Sequence, residues 1–353
     1  MKTTVILLFG GRSSEYEVSL SSAYGALENI DTDKYNVVKV GITREGEFYL
    51  YEGDNSLIPS DKWNEERYCT PLSLDLVKGC FKAGEREIHP DVVLPMMHGK
   101  NCEDGTLQGM LTLMRIPTAG CGCTSSAVCM DKAFTKSVIK SETNINLAAW
   151  LVIRAEDYTP ENAVSFRESC EKKLGYPMFV KPANAGSSVG VTKVKNAAEF
   201  DGALKKAFHE DEKVLVEECI NGREIEVAVL EEHGKYFAAH PAEIDHGSAE
   251  FYDYETKYVT DASSFYIPAR ISDDKREEVR GDALEIFKSL GCRGFSRVDF
   301  FYSEERGFVF NEINTLPGFT PISMYPKMMI NDGISYKELL TRIIEAALQA
   351  ALR

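Results

Sequence analysis

Thr4-Val5-Ile6-Leu7-Leu8-Phe9-Gly10-Gly11-Arg12-Ser13-Ser14 is the stretch from which the fold can be read. A short apolar run closed by paired glycines and a polar turn predicts a buried strand over 4–9. From Glu17 to Ile30 the period changes, and Val18, Leu20, Ala23, Leu27 and Ile30 fall at helical spacing. Tyr35–Ile42 and Val92–Met97 repeat the buried-strand pattern, and Leu107–Met114 reads as a short helix. Strands alternating with helices predict an α/β fold built on a parallel sheet.

Working outward, a second region opens near Met130-Asp131-Lys132. The polar stretch Arg154–Glu171 reads as a solvated helix with its connections. The strand Tyr176–Pro182 carries Lys181 near its end, the loop 183–186 follows, and Val189–Val194 continues as a strand. A helix over Ala197–Phe208 and a strand over Val214–Cys219 complete this region. A third holds the strands Glu224–Leu230 and Tyr236–Ile244, then the polar, aromatic segment 248–260. A helix over Asp273–Leu290, the strands Ser296–Tyr302 and Phe308–Asn314, and a helix over Tyr336–Leu352 close the chain. Boundaries near 131 and 226 divide it into 1–131, 132–225 and 226–353.

The 353 residues suit about two to three domains. The formal charge of −15 disfavours nucleic acid or an anionic membrane as a partner, because both reward a basic surface. The opening apolar run is too short for a signal peptide and lacks its cleavage pattern, and no stretch reaches the ~18 apolar residues of a membrane span. The nine cysteines are scattered. Cys121, Cys123 and Cys129 cluster, but no neighbouring His or Cys completes a zinc site. Reduced thiols in a cytoplasmic protein are expected.

The chemistry concentrates in Arg297-Val298-Asp299 and Asn311-Glu312-Ile313-Asn314. Side chains alternate along a strand, so Arg297 and Asp299 share a face, as do Glu312 and Asn314. If the strands pair, two carboxylates, a guanidinium and an amide converge among apolar neighbours. Oxygen donors of this kind suit magnesium with phosphate oxygens. A solvated hairpin face or a buried Arg–Asp pair fits the same residues. Lys181 with the loop Gly186-Ser187-Ser188-Val189-Gly190 could cradle phosphate, the loop through backbone N–H groups and Lys181 as a point charge. A bland Gly-Ser turn fits it too. Neither G-x-x-x-x-G-K-[ST] nor a G-x-G-x-x-G after the first strand occurs, so any phosphate chemistry uses another fold.

In order, Gly10-Gly11-x-Ser13-x-Glu15-x-Glu17-Val18-Ser19-Leu20, His98-Gly99-Lys100-Asn101-Cys102-Glu103-Asp104-Gly105, Met130-Asp131-Lys132, Val180-Lys181-Pro182, Gly186-Ser187-Ser188-Val189-Gly190, Tyr252-Asp253-Tyr254-Glu255-Thr256-Lys257-Tyr258, Arg297-Val298-Asp299 and Asn311-Glu312-Ile313-Asn314-Thr315-x-Pro317-Gly318-Phe319-Thr320 span the chain. Together they resemble the D-alanine–D-alanine ligases of the ATP-grasp superfamily, a family that includes the D-alanine–D-serine ligases of vancomycin resistance. The resemblance implies an ATP-grasp fold behind an N-terminal Rossmann-like domain. It implies Lys132 and Lys181 on ATP phosphates, Ser188 in the phosphate loop, Glu224 on the ribose and Glu217 near the adenine. Asp299, Glu312 and Asn314 would hold a pair of magnesium (or manganese) ions. Lys257 would reach the γ-phosphate from a mobile loop, 248–260. Glu15 would pair with the ammonium of the first D-alanine, grouped with Ser187 and Tyr258, with His98 nearby. Arg297 and the Gly318 N–H would form an oxyanion hole, and Ser323 would bind the second carboxylate. A homodimer through the N-terminal domain and a role in peptidoglycan precursor synthesis are implied as well. Cys102 departs from the family's usual glycine; were its φ positive it would cost roughly 1–2 kcal/mol. The other histidines, His89, His209, His233, His240 and His246, read as structural or surface groups.

A carboxylate is a poor acyl donor until ATP converts it to an acyl phosphate, which an amine then attacks; the protein supplies positioning and charge neutralisation. Another ATP-grasp ligase would share Lys181, Asp299, Glu312 and Asn314 without Glu15, Ser187 and Tyr258. A non-catalytic nucleotide-binding protein would have lost a metal ligand. For the second substrate, an apolar Met324 on the pocket wall, where D-serine ligases commonly carry Arg, favours D-alanine. D-serine stays open, because an apolar pocket rejects an added hydroxyl only about a hundredfold. Tyr258, where D-lactate ligases carry His, argues against ester formation.

Overall fold

Three sheets organise the computed structural model, which describes residues 2–245 and 264–352. The strand Thr3–Gly10 lies between Tyr35–Ile42 and Val92–Pro95 and pairs in parallel with both. Val5 to Phe9 are wholly buried, as expected of a parallel strand covered on both faces. The helix Tyr16–Asn29 packs on it through residues that include Leu20, Ala23 and Ala26. The expectation of a parallel sheet holds only for these strands. Phe48–Tyr51, Cys69–Asp75, Cys80–Ala83 and Arg86–Ile88 extend the sheet antiparallel, to seven strands. They are mostly short and partly exposed, and antiparallel neighbours need no crossover helix.

The second sheet is four-stranded and antiparallel, from Trp150–Arg154, Met178–Pro182, Thr192–Val194 and Lys213–Glu218. The strand expected from Val189 begins only at Thr192, because Gly190 takes a φ of 76° and interrupts extended backbone. The helix expected over Arg154–Glu171 runs from Ala163 to Leu174. Two unanticipated helices, Cys123–Met130 and Lys132–Glu142, meet at Asp131. Its carboxylate accepts the Ala133 and Phe134 N–H groups at 3.0 and 3.1 Å, so one residue ends the first helix and caps the second.

The third sheet holds Arg223–Glu232, Ala242–Asp245, Ser264–Tyr266, Phe295–Ser303 and Gly307–Asn314, with Lys235–Ala238 beside the first of these. Tyr236–Ile244 is two strands, not one, separated at His240-Pro241, where proline supplies no N–H. The junction read near 226 falls just inside Arg223–Glu232. Helix Asp273–Ser289 covers this sheet with Val279, Ala283, Ile286 and Phe287. Two C-terminal helices, Met324–Asn331 and Tyr336–Ala350, join the core of the first sheet through residues that include Tyr325, Leu340 and Ile343. The beginning and end of the chain therefore share one core. Among the described residues no helix is long and apolar enough to cross a membrane.

Candidate active site

A cavity of about 830 Å³ opens between the second and third sheets, within the usual range for small-molecule clefts. Lys132, Lys181, Ser187, Ser188, Glu217, Glu224 and Glu312, all expected at the site, line it together. Lys136, lying one helical turn beyond Lys132 and almost wholly buried, also lines it. Glu217 forms ion pairs with Lys136, 2.8 Å away, and with Lys181, which is closer. Burial alone would favour the neutral carboxyl, but the two ammonium groups hold Glu217 below the usual range. Burial lowers Lys136 in turn. This end of the cavity is a charge-balanced patch with cationic side chains on its surface. Lys132 adds to it, donating to the Ala185 carbonyl at 2.8 Å and lying 3.4 Å from Glu312.

The strands Phe295–Ser303 and Gly307–Asn314 pair so that Asp299 faces Glu312 and Arg297 faces Asn314. The anticipated convergence on one surface is present. A bulge follows Asp299: Phe300 pairs with Phe310, so Asn311 is the extra residue beside Glu312. Arg297 donates to both oxygens of Asp299, at 2.8 and 2.7 Å, and lies 3.2 Å from Glu226. Asn314 donates to Asp299 at 3.0 Å. Burial pushes the Asp299 carboxyl up against the pull of Arg297, and the charges of Glu312 and Glu224 push it further. Carboxylates crowded in this way, with oxygen as the donor atom, suit a divalent cation, which would relieve the repulsion.

The other end of the site is built from the first domain. Glu15 caps the start of helix Tyr16–Asn29 in sequence, but its side chain makes no cap and is buried. Ser187 donates to its Oε1. Its Oε2 is buried and has no hydrogen-bond partner among the described residues. Gly186 permits this approach, because a Cβ there would sit 2.7 Å from that oxygen. The left-handed backbone of Ser187 and Ser188 marks the loop as strained where it meets Glu15. His98 is buried beside this group, with Nδ1 2.9 Å from the Leu316 carbonyl and Nε2 2.9 Å from Ser22 Oγ. Burial pushes its ring below the ordinary histidine value, so the imidazole is neutral. Glu103 accepts the Gly99 N–H at 2.9 Å and the Leu316 N–H at 3.2 Å. Burial, then the charge of Glu15, pushes its carboxyl up to about 8.

Ser323 lies against Gly318, where a Cβ would come within 2.6 Å of the serine hydroxyl. That hydroxyl accepts the Thr320 N–H at 3.0 Å. Met324, next to it, is 5% exposed and belongs to the first core with Tyr325 and Met328. Cys102 takes no positive φ; Asn101 does, at 67°, so the thiol costs no backbone strain. Burial pushes that thiol well up, which makes it inert. Lys257, Tyr258 and the loop 248–260 lie outside the described residues. Lys136, Ser22, Glu103 and Glu226 escaped the sequence reading. Lys136 was signalled by its spacing from Lys132, and Glu226 by alternation with Glu224. Glu103 stood inside a quoted motif; nothing local marked Ser22.

Residues 4–121 match the family model described as D-ala D-ala ligase N-terminus, and residues 139–345 match D-ala D-ala ligase C-terminus. A D-alanine–D-alanine ligase of Clostridium novyi (strain NT) is 46% identical, covering 99% of each chain. Among solved structures, the VanG D-Ala:D-Ser ligase from Enterococcus faecalis is 40% identical with a TM-score of 0.89, covering 98% of this chain and 100% of that one. The D-alanine–D-alanine ligase from Coxiella burnetii is 32% identical with a TM-score of 0.86, covering 99% of this chain and 95% of its own. With both halves matched in order and relatives aligned over nearly the whole length, the chain belongs to the D-alanine–D-alanine ligase family.

Proposed function

We propose that the protein is an ATP-dependent, ADP-forming ligase that joins two D-alanine molecules for peptidoglycan precursor synthesis. The observation that carries this reading is the buried Glu15 Oε2, which has no hydrogen-bond partner among the described residues and lies beside Gly186 and Ser187 of the loop that lines the cavity. A buried carboxylate oxygen without a donor suits the ammonium of an amino acid, and Lys132 reaches the same loop at Ala185 while lining the cavity with Lys181.

In this reading Lys132 and Lys181 bind ATP phosphates, Ser188 contributes to the phosphate loop, Glu224 holds the ribose and Glu217 lies by the adenine. Asp299, Glu312 and Asn314 hold the magnesium or manganese ions, which when bound neutralise phosphate charge. Glu15 orients the first D-alanine so that its carboxylate is phosphorylated in line. Arg297 and the Gly318 N–H then stabilise the tetrahedral oxyanion formed when the second amine attacks; one such donor is typically worth ~3–4 kcal/mol. Ser323 receives the second carboxylate. Lys257 and Tyr258 are assigned from the family resemblance alone, as are a homodimer through the N-terminal domain and a cytoplasmic location. We retain three functional units divided near 131 and 226.

ATP hydrolysis that begins only when D-alanine is added, with D-alanyl-D-alanine as the product, is the expected result. Hydrolysis indifferent to D-alanine would overturn the assignment. The likeness to the VanG ligase supports a second reading, D-serine as the second substrate. The apolar Met324, beside Ser323, argues for D-alanine in this reading. The full-length relatives, named for D-alanine, favour D-alanine. With equal D-alanine and D-serine, mass spectrometry should find mainly D-alanyl-D-alanine; a majority of D-alanyl-D-serine reverses the order of the readings.

A further inference from the structure

We infer that Glu103 and Ser22 are positioning residues, which clamp the backbone of Leu316–Phe319 and thereby fix the Gly318 N–H from the opposite domain. The inference rests on the reading of Gly318 as an oxyanion donor. It begins from how completely this segment's backbone is bound by buried side chains that the sequence supplies some two hundred or more residues earlier. Leu316 donates its N–H to Glu103 at 3.2 Å, and its carbonyl is 2.9 Å from His98 Nδ1. Phe319 donates its N–H to Ser22 at 3.1 Å. A carbonyl can only accept, so His98 Nδ1 carries the hydrogen. The neutral ring must then accept at Nε2 from the Ser22 hydroxyl, whose oxygen takes the Phe319 N–H. Each donor in the chain has one acceptor, and only one tautomer satisfies it.

Between the two anchored residues stand Pro317, which has no N–H, and Gly318. Among the described residues nothing accepts the Gly318 N–H. Leu316 and Phe319 are buried at 2% and 1%, while Gly318 keeps partial exposure at the site. The clamp thus pins the groups on either side and leaves the central donor without an acceptor among the described residues. Catalytic donors lose effect steeply when displaced by about 1 Å, so a lock of this kind has a kinetic signature.

Glu103→Gln places an amide NH₂ where an oxygen now accepts an N–H, and Ser22→Ala removes the Phe319 acceptor together with the donor to His98. Both variants, compared with the parent enzyme, should lower kcat about tenfold and weaken inhibition by a phosphinate analogue of the dipeptide by a similar factor. ADP affinity, read by calorimetry, should stay within about twofold. Should Glu103→Gln fail to fold, Ser22→Ala carries the test. Unchanged phosphinate inhibition in the clamp variants, or a parallel loss of ADP affinity, overturns the clamp. Arg297→Lys separates this from the underlying reading: if phosphinate inhibition survives that change, the oxyanion hole itself is wrongly assigned. If it is lost there but intact in Ser22→Ala and Glu103→Gln, the clamp alone is refuted.

Discussion

The two ends of the site are held by different physics. At the lysine end, Lys136 and Lys181 converge on Glu217, and position follows from charge balance between long side chains. At the end that holds Glu15, Ser22, His98 and Glu103 bind backbone N–H and carbonyl groups, and position follows from hydrogen-bond direction. The contrast teaches that a mobile, highly charged substrate can be met by adjustable point charges. A developing oxyanion needs a donor that is already in place.

Changes at the charge-balanced end should be the most severe where they remove net charge facing phosphate. Glu312→Gln keeps shape but removes a carboxylate opposite Asp299, and activity should fall by about a hundredfold or more, roughly 3 kcal/mol, with the fold intact. Near-normal kcat at ordinary magnesium concentration would break the comparison at its first step. Depleting divalent metal should abolish turnover while leaving the far-UV spectrum unchanged.

Glu15→Gln tests the other end. The amide offers the substrate ammonium no charge, so the KM for D-alanine should rise about tenfold while the KM for ATP stays within about threefold. Equal effects on both would show that the two ends are not separable. Lys136→Met should be milder, raising the KM for ATP about three- to tenfold, because Lys181 still compensates Glu217. A larger effect than that of Glu312→Gln would invert the ranking.

Asp282, on helix Asp273–Ser289, supplies a reference with neither kind of partner. Burial, then Glu278 and Glu285, pushes its carboxyl up to about 6 from 3.8. The folded state holds this proton more tightly, so stability is lost as pH rises from about 4 to about 6. Asp282→Asn should therefore stabilise the protein at pH 8, by about 1 kcal/mol after allowing for the partial exposure of the group, and make no difference at pH 4. Denaturant midpoints at the two pH values measure this.

Much of this organisation was legible in the chain. The run Val5–Phe9 reads as a buried strand because both its faces are covered. The alternation in Arg297–Asp299 and Glu312–Asn314 marked the shared face that their register produces. The hairpins between 48 and 88 were not legible, since short, half-exposed strands lack a periodic signal. The clamp was hidden for a different reason: its acceptors are backbone groups, which carry no residue identity, and Ser22 looks like any serine on a helix.

The hairpins also decide how the first sheet ends. The outermost strand on that side, Arg86–Ile88, is three residues long, pairs among the described residues only with Cys80–Ala83 and carries Arg86 and Glu87 outward, the latter held by Lys78 at 2.6 Å. A border so brief and so charged offers an incoming chain almost no ladder to extend. Without residues 69–88, the border would become Phe48–Tyr51, where Leu50 and Tyr51 are now buried. The same enzyme would then present a template for fibrous association, so these unremarkable turns act as a terminator for sheet growth.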